Sequence, residues 1–220
     1  MKTIALHYKD NSIEAQKLSA YCTIHNIPII QIKENTPFLD EYIPCGSVEW
    51  ISSLLNTEII PDYYPYWLND HLYRKVWQSN KWILGKKLFV KPADRYKRFD
   101  GFITTGFYRK KKKPPYWYSK IVKFTNEWRY YIANGETLCG EWYSGDEINT
   151  PSAPKLNIKI PEKYCGALDF GTLSTGELAL VEAQHPFACG WYGVGLKDID
   201  LYIKWLEIGW EYMKKRYSCY

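Results

Sequence analysis

The sequence predicts a mixed α/β (α+β) protein: a small α/β unit at the N-terminus, followed by antiparallel sheets. Three observations carry this prediction. Strand-like and helix-like stretches alternate over roughly the first 58 residues. Asn134-Gly135, the strongest short hairpin signal, joins two runs rich in aromatic and β-branched residues. Thr175-Gly176 joins two more.

The elements follow in order. Residues 3–8 (TIALHY) read as a strand, and 12–26 as a helix with Ser12 as N-cap and Ile13, Leu18 and Ile24 among its apolar positions. Residues 27–33 (IPIIQIK) read as a second strand and 46–56 (GSVEWISSLLN) as a short helix. The Pro- and Tyr-rich stretch 61–67 (PDYYPYW) breaks this pattern and marks a boundary. Strands are expected at 87–93, ending at Pro92, at 101–108 and at 119–124, with 109–118 (RKKKKPPYWY) as a charged loop. Residues 127–143 form the first hairpin, 144–162 a proline-containing loop, and 163–183 the second hairpin. A helix begins near Asp198, with Ile199, Ile203, Leu206, Trp210 and Met213 on one stripe. Asp198 and Asp200 at its start and Lys214, Lys215 and Arg216 at its end suit the helix dipole, and it reads as a packing element.

The 220 residues, 46% hydrophobic and 24% charged, suffice for one large domain or two small ones sharing a cleft. Twenty Tyr and ten Trp provide many amphipathic rings. A net charge of +5 suits an anionic ligand such as a nucleotide without demanding a nucleic acid. The six cysteines lack metal-type spacing and read as reduced thiols of a cytoplasmic protein. The N-terminal apolar run is too short for a signal peptide, and no stretch has the length of a membrane span. There is no Walker P-loop, nucleophile elbow or dinucleotide glycine fingerprint, and the four histidines lack metal spacing.

Glu182 is the first residue to demand an explanation. It ends the apolar run LALV, where a carboxylate is expensive unless it faces water or meets a positive group. A two-residue turn at Thr175-Gly176 sets Asp169 opposite Glu182, with Cβ atoms about 4.5–5.5 Å apart. Such a pair is either well solvated or bridged by a cation. Gln184 lies on the same face, and two carboxylates with one amide make an oxygen site suited to Mg²⁺ or Mn²⁺. Lys91, in a strand and before a proline, either snorkels to the surface or points at a phosphate. Arg129 shares a face with Glu127 and Tyr131, opposite Trp128, Tyr130 and Ile132; it either joins an internal ion pair or forks an anionic group. The run 109–113 (RKKKK) is a solvated loop or a contact to nucleic acid or an acidic substrate, with the aromatics of 116–118 available for base stacking.

From about Lys87 to Gly195 the order of these features resembles the ATP-grasp superfamily, and among its members the small phage and bacterial proteins thought to form amides. LFVKPADRYKRFDG resembles the strand with the nucleotide-binding lysine, YSKIVKFTNEWRYYIANGE the adenine hinge and Glu-x-Arg strand, and ALDFGTLSTGELALVEAQHPFACGWYG the metal hairpin. The resemblance implies a pre-ATP-grasp unit at 1–60, an N-terminal ATP-grasp subdomain at 61–125 and a C-terminal one at 126–220. It implies ATP and Mg²⁺ as cofactors and a carboxylate–amine ligase working through an acyl phosphate. Lys91 and Lys97 would hold phosphates, Lys120, Ile121 and Val122 the adenine end, and Asp169, Glu182 and Gln184 the metal, with Arg129 and Lys97 serving catalysis. Small-molecule or peptide carboxylates and amines are the expected substrates, in the cytoplasm, or the host cytoplasm for a phage protein. The sequence does not define the oligomeric state. Gln184 stands where the family commonly has Asn, which leaves open a nucleotide-binding protein without catalysis. A basic, aromatic-rich nucleic-acid-binding protein is the other alternative.

Overall fold

Capped helices and short apolar strands build the first layer. The computed structural model describes residues 2–33, 36–94, 98–104, 113–193 and 198–217. Strands β1 (Thr3–His7), β2 (Ile29–Ile32) and β3 (Tyr42–Cys45) form a parallel sheet in the order β2-β1-β3. Helix α1 (Ile13–Ile24) is capped by Ser12, whose hydroxyl accepts from the Ala15 N–H at 3.2 Å. Ser47 caps α2 (Val48–Leu54) in the same way through Trp50 N–H. The sequence pattern does not reveal β3, because Pro44 lies within it; the strand is at the sheet edge, where a proline is tolerated.

A second sheet, in the order β4-β7-β5-β6, is antiparallel: β4 (Val76–Ser79), β5 (Phe89–Pro92), β6 (Phe102–Ile103) and β7 (Tyr116–Ser119). Two expectations are corrected here. Residues 116–118 are strand rather than loop, and 120–123 are a connection rather than strand. Tyr118 faces Val90 and both are fully buried, so Tyr-rich YWY pairs because its alternate rings fill a core. Strand β4 has no sequence counterpart among the expected elements. Residues 105–112, which hold most of the lysine run and the end of the strand expected at 101–108, lie outside the described residues.

The third sheet, in the order β11-β10-β8-β9, comprises both predicted hairpins: β8 (Phe124–Ala133) with β9 (Glu136–Ser144), and β10 (Gly166–Leu173) with β11 (Leu178–Gln184). Both turn residues Asn134 and Gly135 have positive φ, 50° and 77°, as a two-residue hairpin turn of matching twist requires. The sheet is covered on both faces. Trp128, Tyr130, Ile132, Leu168 and Phe170 pack beneath Leu68 and Leu72 and the proline-containing loop. Tyr131, Ala133 and Ala167 pack against α3 (Ile199–Tyr217) and, in the same core, against β1, α1 and β3. The two faces are those the alternation in 127–132 predicts. Trp205 of α3 donates its indole N–H to the Ile132 and Gly166 carbonyls, fixing the helix across the β8–β10 pair. No helix among the described residues is long and apolar enough to cross a membrane.

The two hairpin glycines differ in a testable way. At Gly176, φ 102°, a new Cβ meets nothing within 4 Å, so Gly176→Ala costs only backbone strain of about 1–2 kcal/mol. At Gly135 the Cβ would lie 2.7 Å from the Pro161 carbonyl oxygen. Gly135→Ala is therefore expected to cost clearly more in urea unfolding; equal costs would contradict this packing.

Candidate functional site

The positive group that Glu182 requires is Lys91. On β5, Val90 and Pro92 are buried in their own sheet, so Lys91 projects the other way, toward the third sheet. Its ammonium pairs with Glu182 Oε2 and lies 4.1 and 4.8 Å from the ring centroids of Tyr63 and Tyr64. Eleven per cent of the lysine side chain and 19% of the glutamate remain accessible, so the pair is shielded but reachable.

A second ion pair lies deeper. Asp169 is opposite Arg129 on one side and Glu182 on the other, since β10 runs between β8 and β11. Arg129 Nε and Nη2 donate to the two Asp169 oxygens at 2.8 and 2.7 Å, and Nη1 donates to the Gly190 carbonyl at 3.3 Å. Its guanidinium also stacks on Tyr192 at 4.7 Å. Burial works to lower the Arg129 pKa, but Cys189 and Asp169 hold it above its ordinary value. Burial pushes the Asp169 carboxyl up while Arg129 pulls it down; two short charge-assisted bonds make the ionised pair the ground state. The guanidinium fork expected for an anionic ligand is therefore spent on Asp169, and the internal partner is Asp169 rather than Glu127.

The Asp169–Glu182 juxtaposition arises by a route the sequence count did not contain. The turn holds three residues, with Leu173 N–H bonded to Glu177 O. That register alone would bring Leu168 opposite Glu182 and turn the carboxylate to the other face. A β-bulge restores it: Phe170 pairs with Leu180 and Asp169 with Glu182, leaving Val181 extra. Arg74 holds the bulge, donating to the Leu180 carbonyl at 2.5 Å and the Val181 carbonyl at 3.1 Å. Burial lowers the Arg74 pKa.

Between the second and third sheets lies a cleft of about 240 Å³. Lys91 and Glu182 line it together with Lys120, Ile121 and Val122, the connection between β7 and β8. Phe89 and Phe124 supply flat walls, and Arg74 and Glu127 polar ones. Burial raises the Glu127 pKa against a hydrogen bond of 2.8 Å from the Tyr143 hydroxyl. A recess of about 200 Å³ shares Phe89, Lys91 and Glu182 and runs on toward Phe99, Asp100 and Gly101.

The structure thus brings together Lys91, Lys120, Ile121, Val122 and Glu182 in one cleft, with Asp169 and Arg129 in register beside Glu182. Lys97 lies outside the described residues, as do Lys110, Lys111 and Lys112. Gln184 is buried and turns its amide N–H, rather than its oxygen, to Glu182 Oε1 at 2.6 Å; its own Oε1 is buried without a hydrogen-bond partner. Among the described residues no three His, Cys, Asp or Glu side chains are grouped to hold a metal ion. Of the three rings at 116–118 expected to stack on bases, Tyr116 and Tyr118 are core residues, whereas Trp117 is partly buried against Tyr64. Arg74, Tyr63 and Tyr64 were not singled out from sequence. The only signal for the tyrosines was the break at 61–67, and Arg74 has no local pattern at all.

A family model described as "ATP-grasp domain, R2K clade family 2" matches residues 71–200. Among solved structures the chain is similar to a RimK domain protein ATP-grasp from Sphaerobacter thermophilus, at 9% identity over 96% of this chain and 98% of that one, with a TM-score of 0.52. It is similar to a D-alanine–D-alanine ligase from Bacillus anthracis at 12% identity over 98% and 99% of the two chains, also with a TM-score of 0.52. These likenesses show the ATP-grasp fold. No curated protein matches.

The buried pair makes a prediction independent of any ligand. Asp169→Ala strands a buried guanidinium and is expected to cost about 3–5 kcal/mol in urea unfolding. The double variant Asp169→Leu/Arg129→Met is expected to recover much of that loss. Strictly additive costs would rule out the pairing as the source of the effect.

Proposed function

This chain belongs to the R2K clade of ATP-grasp domains, family 2, and from that premise we propose that it is an ATP-dependent carboxylate–amine ligase. One observation carries the reading: Lys91 and Glu182, from two different sheets, meet in a cleft that is also lined by Ile121 and Val122 of the irregular β7–β8 connection. The adenine lies against Ile121 and Val122, where the connection outside any strand keeps backbone groups for its edge. Lys91 exchanges Glu182 for the α and β phosphates; Lys97, outside the described residues, is the lysine that the family resemblance assigns to the β or γ phosphate. Arg74 keeps the bulge that aims Glu182, and Arg129 orients Asp169 and the Gly190 carbonyl.

Asp169, Glu182 and Gln184 are the residues that would hold Mg²⁺. The donors fit in kind: two carboxylate residues stand opposite one another in register, and the buried Gln184 Oε1 is an acceptor in want of a partner. When bound, the ion neutralises phosphate oxygens. In the reaction a substrate carboxylate oxygen attacks the γ-phosphorus and ADP leaves. An amine then attacks the acyl carbon and loses a proton as inorganic phosphate departs, forming the amide. The protein's part is alignment and charge neutralisation, which fits a site without a nucleophilic triad.

A second reading is a nucleotide-binding protein without turnover. The Gln184 amide bonded to Glu182 favours it, because that contact occupies a metal-facing carboxylate oxygen. Gln184→Asn separates the two readings: a gain of ADP release from an inactive parent supports the second.

Thermal unfolding with and without Mg-ATP tests the shared premise. At a concentration of 100 Kd, binding stabilises by about 2.7 kcal/mol. The wild type is expected to shift upward, and Lys91→Ala and Glu182→Ala to lose the shift. ADP release is then sought with mixtures of carboxylates and amines. A wild type that does not respond to millimolar Mg-ATP would sink the nucleotide reading.

A further inference from the structure

The cationic charge of the chain is concentrated in one stretch. Residues 74–123, which supply the whole second sheet, hold 16 Lys and Arg against two Asp and no Glu. The rest of the chain holds 13 Lys and Arg against 22 Asp and Glu, so it is acidic by itself. A net charge of +5 therefore conceals a strongly basic sheet joined to an acidic remainder.

Strand pairing gathers part of this charge at one end of the sheet. Val76 pairs with Ser119, Ser119 with Phe89, and Phe89 with Ile103, a single row across all four strands. Just beyond that row stand Lys75, Lys120 and the neighbours Lys86 and Lys87. Lys120 N–H donates to the Lys75 carbonyl at 3.0 Å. The Thr104 hydroxyl donates to the Lys86 carbonyl at 2.8 Å and accepts from Leu88 N–H at 3.1 Å, which fastens that backbone beside β6. Lys123 follows Lys120 in the β7–β8 connection. Neighbouring strands are about 4.8 Å apart, so cations entering or leaving β4, β7 and β5 are held within about 10 Å across the sheet. Like charges at that spacing repel, and a polyanion relieves the repulsion.

All five lysines are exposed, and among the described residues none is paired with a carboxylate. Nor are they placed for the phosphates of ATP: Lys91, assigned to those, lies further along β5 opposite Trp117, and of the five only Lys120 lines the cleft. The two described arginines of the stretch are committed inside the protein, Arg74 to backbone carbonyls and Arg98 to Asp94. The surface thus offers point charges without the planar forks that suit the carboxylates of an acidic peptide. Point charges in a row fit a polyanion of uniform charge density, a nucleic-acid backbone. Splayed bases find little here. Tyr116 and Tyr118 are core residues and Trp117 packs on Tyr64; Tyr73, exposed two positions before Lys75, is a single ring, whereas single-strand binders stack successive bases.

We propose that this strip, Lys75, Lys86, Lys87, Lys120 and Lys123, binds the phosphate backbone of double-stranded nucleic acid without regard to sequence. Such binding goes beyond the ligase reading and does not depend on turnover.

Fluorescence anisotropy of a labelled DNA duplex of about 20 base pairs, titrated with the full chain between about 50 and 200 mM salt, tests it. The wild type is expected to bind with log K falling against log salt at a slope of about −4 or steeper, roughly 0.9 for each phosphate neutralised. Lys75→Gln, Lys86→Gln and Lys87→Gln combined are expected to make the slope shallower by about 2.7 and to weaken binding at the lowest salt by about tenfold or more. The variant is expected to keep the wild-type melting temperature and any Mg-ATP shift, since none of the three lines the cleft. An unlabelled single strand and a glutamate peptide of the same length serve as competitors, and weaker competition by both supports the assignment. Equal or better competition by the single strand would overturn it in favour of base stacking, and by the peptide in favour of an acidic protein partner. Absent or salt-independent binding, or a triple variant that binds like the wild type, would also overturn it. Mg-ATP stabilisation without duplex binding leaves the ligase reading standing and removes the strip; duplex binding without Mg-ATP stabilisation does the reverse.

Discussion

The fork of Arg129 on Asp169 is the constraint around which the site is arranged. Both side chains are more than nine-tenths buried, and neither charge is tolerable there alone. The pair therefore fixes the β8–β10 register at the level of the cleft. The third bond of the guanidinium, to the Gly190 carbonyl, brings the loop after β11 to that level. Tyr131 repeats the tie: its hydroxyl donates to Gly190 O and accepts from Tyr192 N–H, both at 2.8 Å. A loop that is otherwise short of regular structure is thus fastened to the sheet by two side chains one turn of the pleat apart.

The pair of Lys91 and Glu182 is built differently. It spans two sheets, rests on two tyrosine rings and keeps some access to solvent. An ammonium is a compact charge on a flexible stem, suited to changing partners, whereas the planar Arg129 fork is committed to one. The site therefore combines a committed ion pair with one suited to exchange, and Asp169 and Glu182 are opposed in register between them. The shielded aromatic seat also explains why an unliganded lysine stays in position rather than extending into water.

Much of this was legible in the sequence where the signal is local. Ser12 caps its helix as its position predicts, Asn134-Gly135 turns as its dipeptide demands, and the two faces of 127–132 separate by simple alternation. The Asp169–Glu182 pairing was reached by counting from a two-residue turn, and it holds because a longer turn and a bulge compensate. Neither of those is visible in local sequence. The strand character of residues 116–118 was hidden because lysines and prolines precede them, although Tyr116 and Tyr118 fill a core. Arg74 was illegible for a deeper reason: its partners are backbone carbonyls, two of them more than a hundred positions away, and carbonyls carry no sequence signal.

The edge position of β11 connects these points. An edge strand leaves carbonyl and N–H groups unpaired, and such edges are where bulges are tolerated. Here Arg74 takes the carbonyls of Leu180 and Val181, and the Tyr63 carbonyl accepts from Ala183 N–H at 2.8 Å. The stretch 61–67, which interrupts every periodic pattern in the sequence, is thus the cover of that edge. Its next task follows from its place: Tyr63 and Tyr64 are then beside Glu182, where Lys91 arrives from the other sheet. Gln184 completes the arrangement. Lying two residues beyond Glu182, it must reach back along the strand, a span of about 7 Å between alternate residues on one face. The longer amide closes that span and turns Oε1 of Glu182 toward the hairpin, leaving Oε2 to the lysine. An asparagine, one methylene shorter, would release that carboxylate oxygen, so the identity of residue 184 decides how firmly Glu182 is held before any ligand arrives.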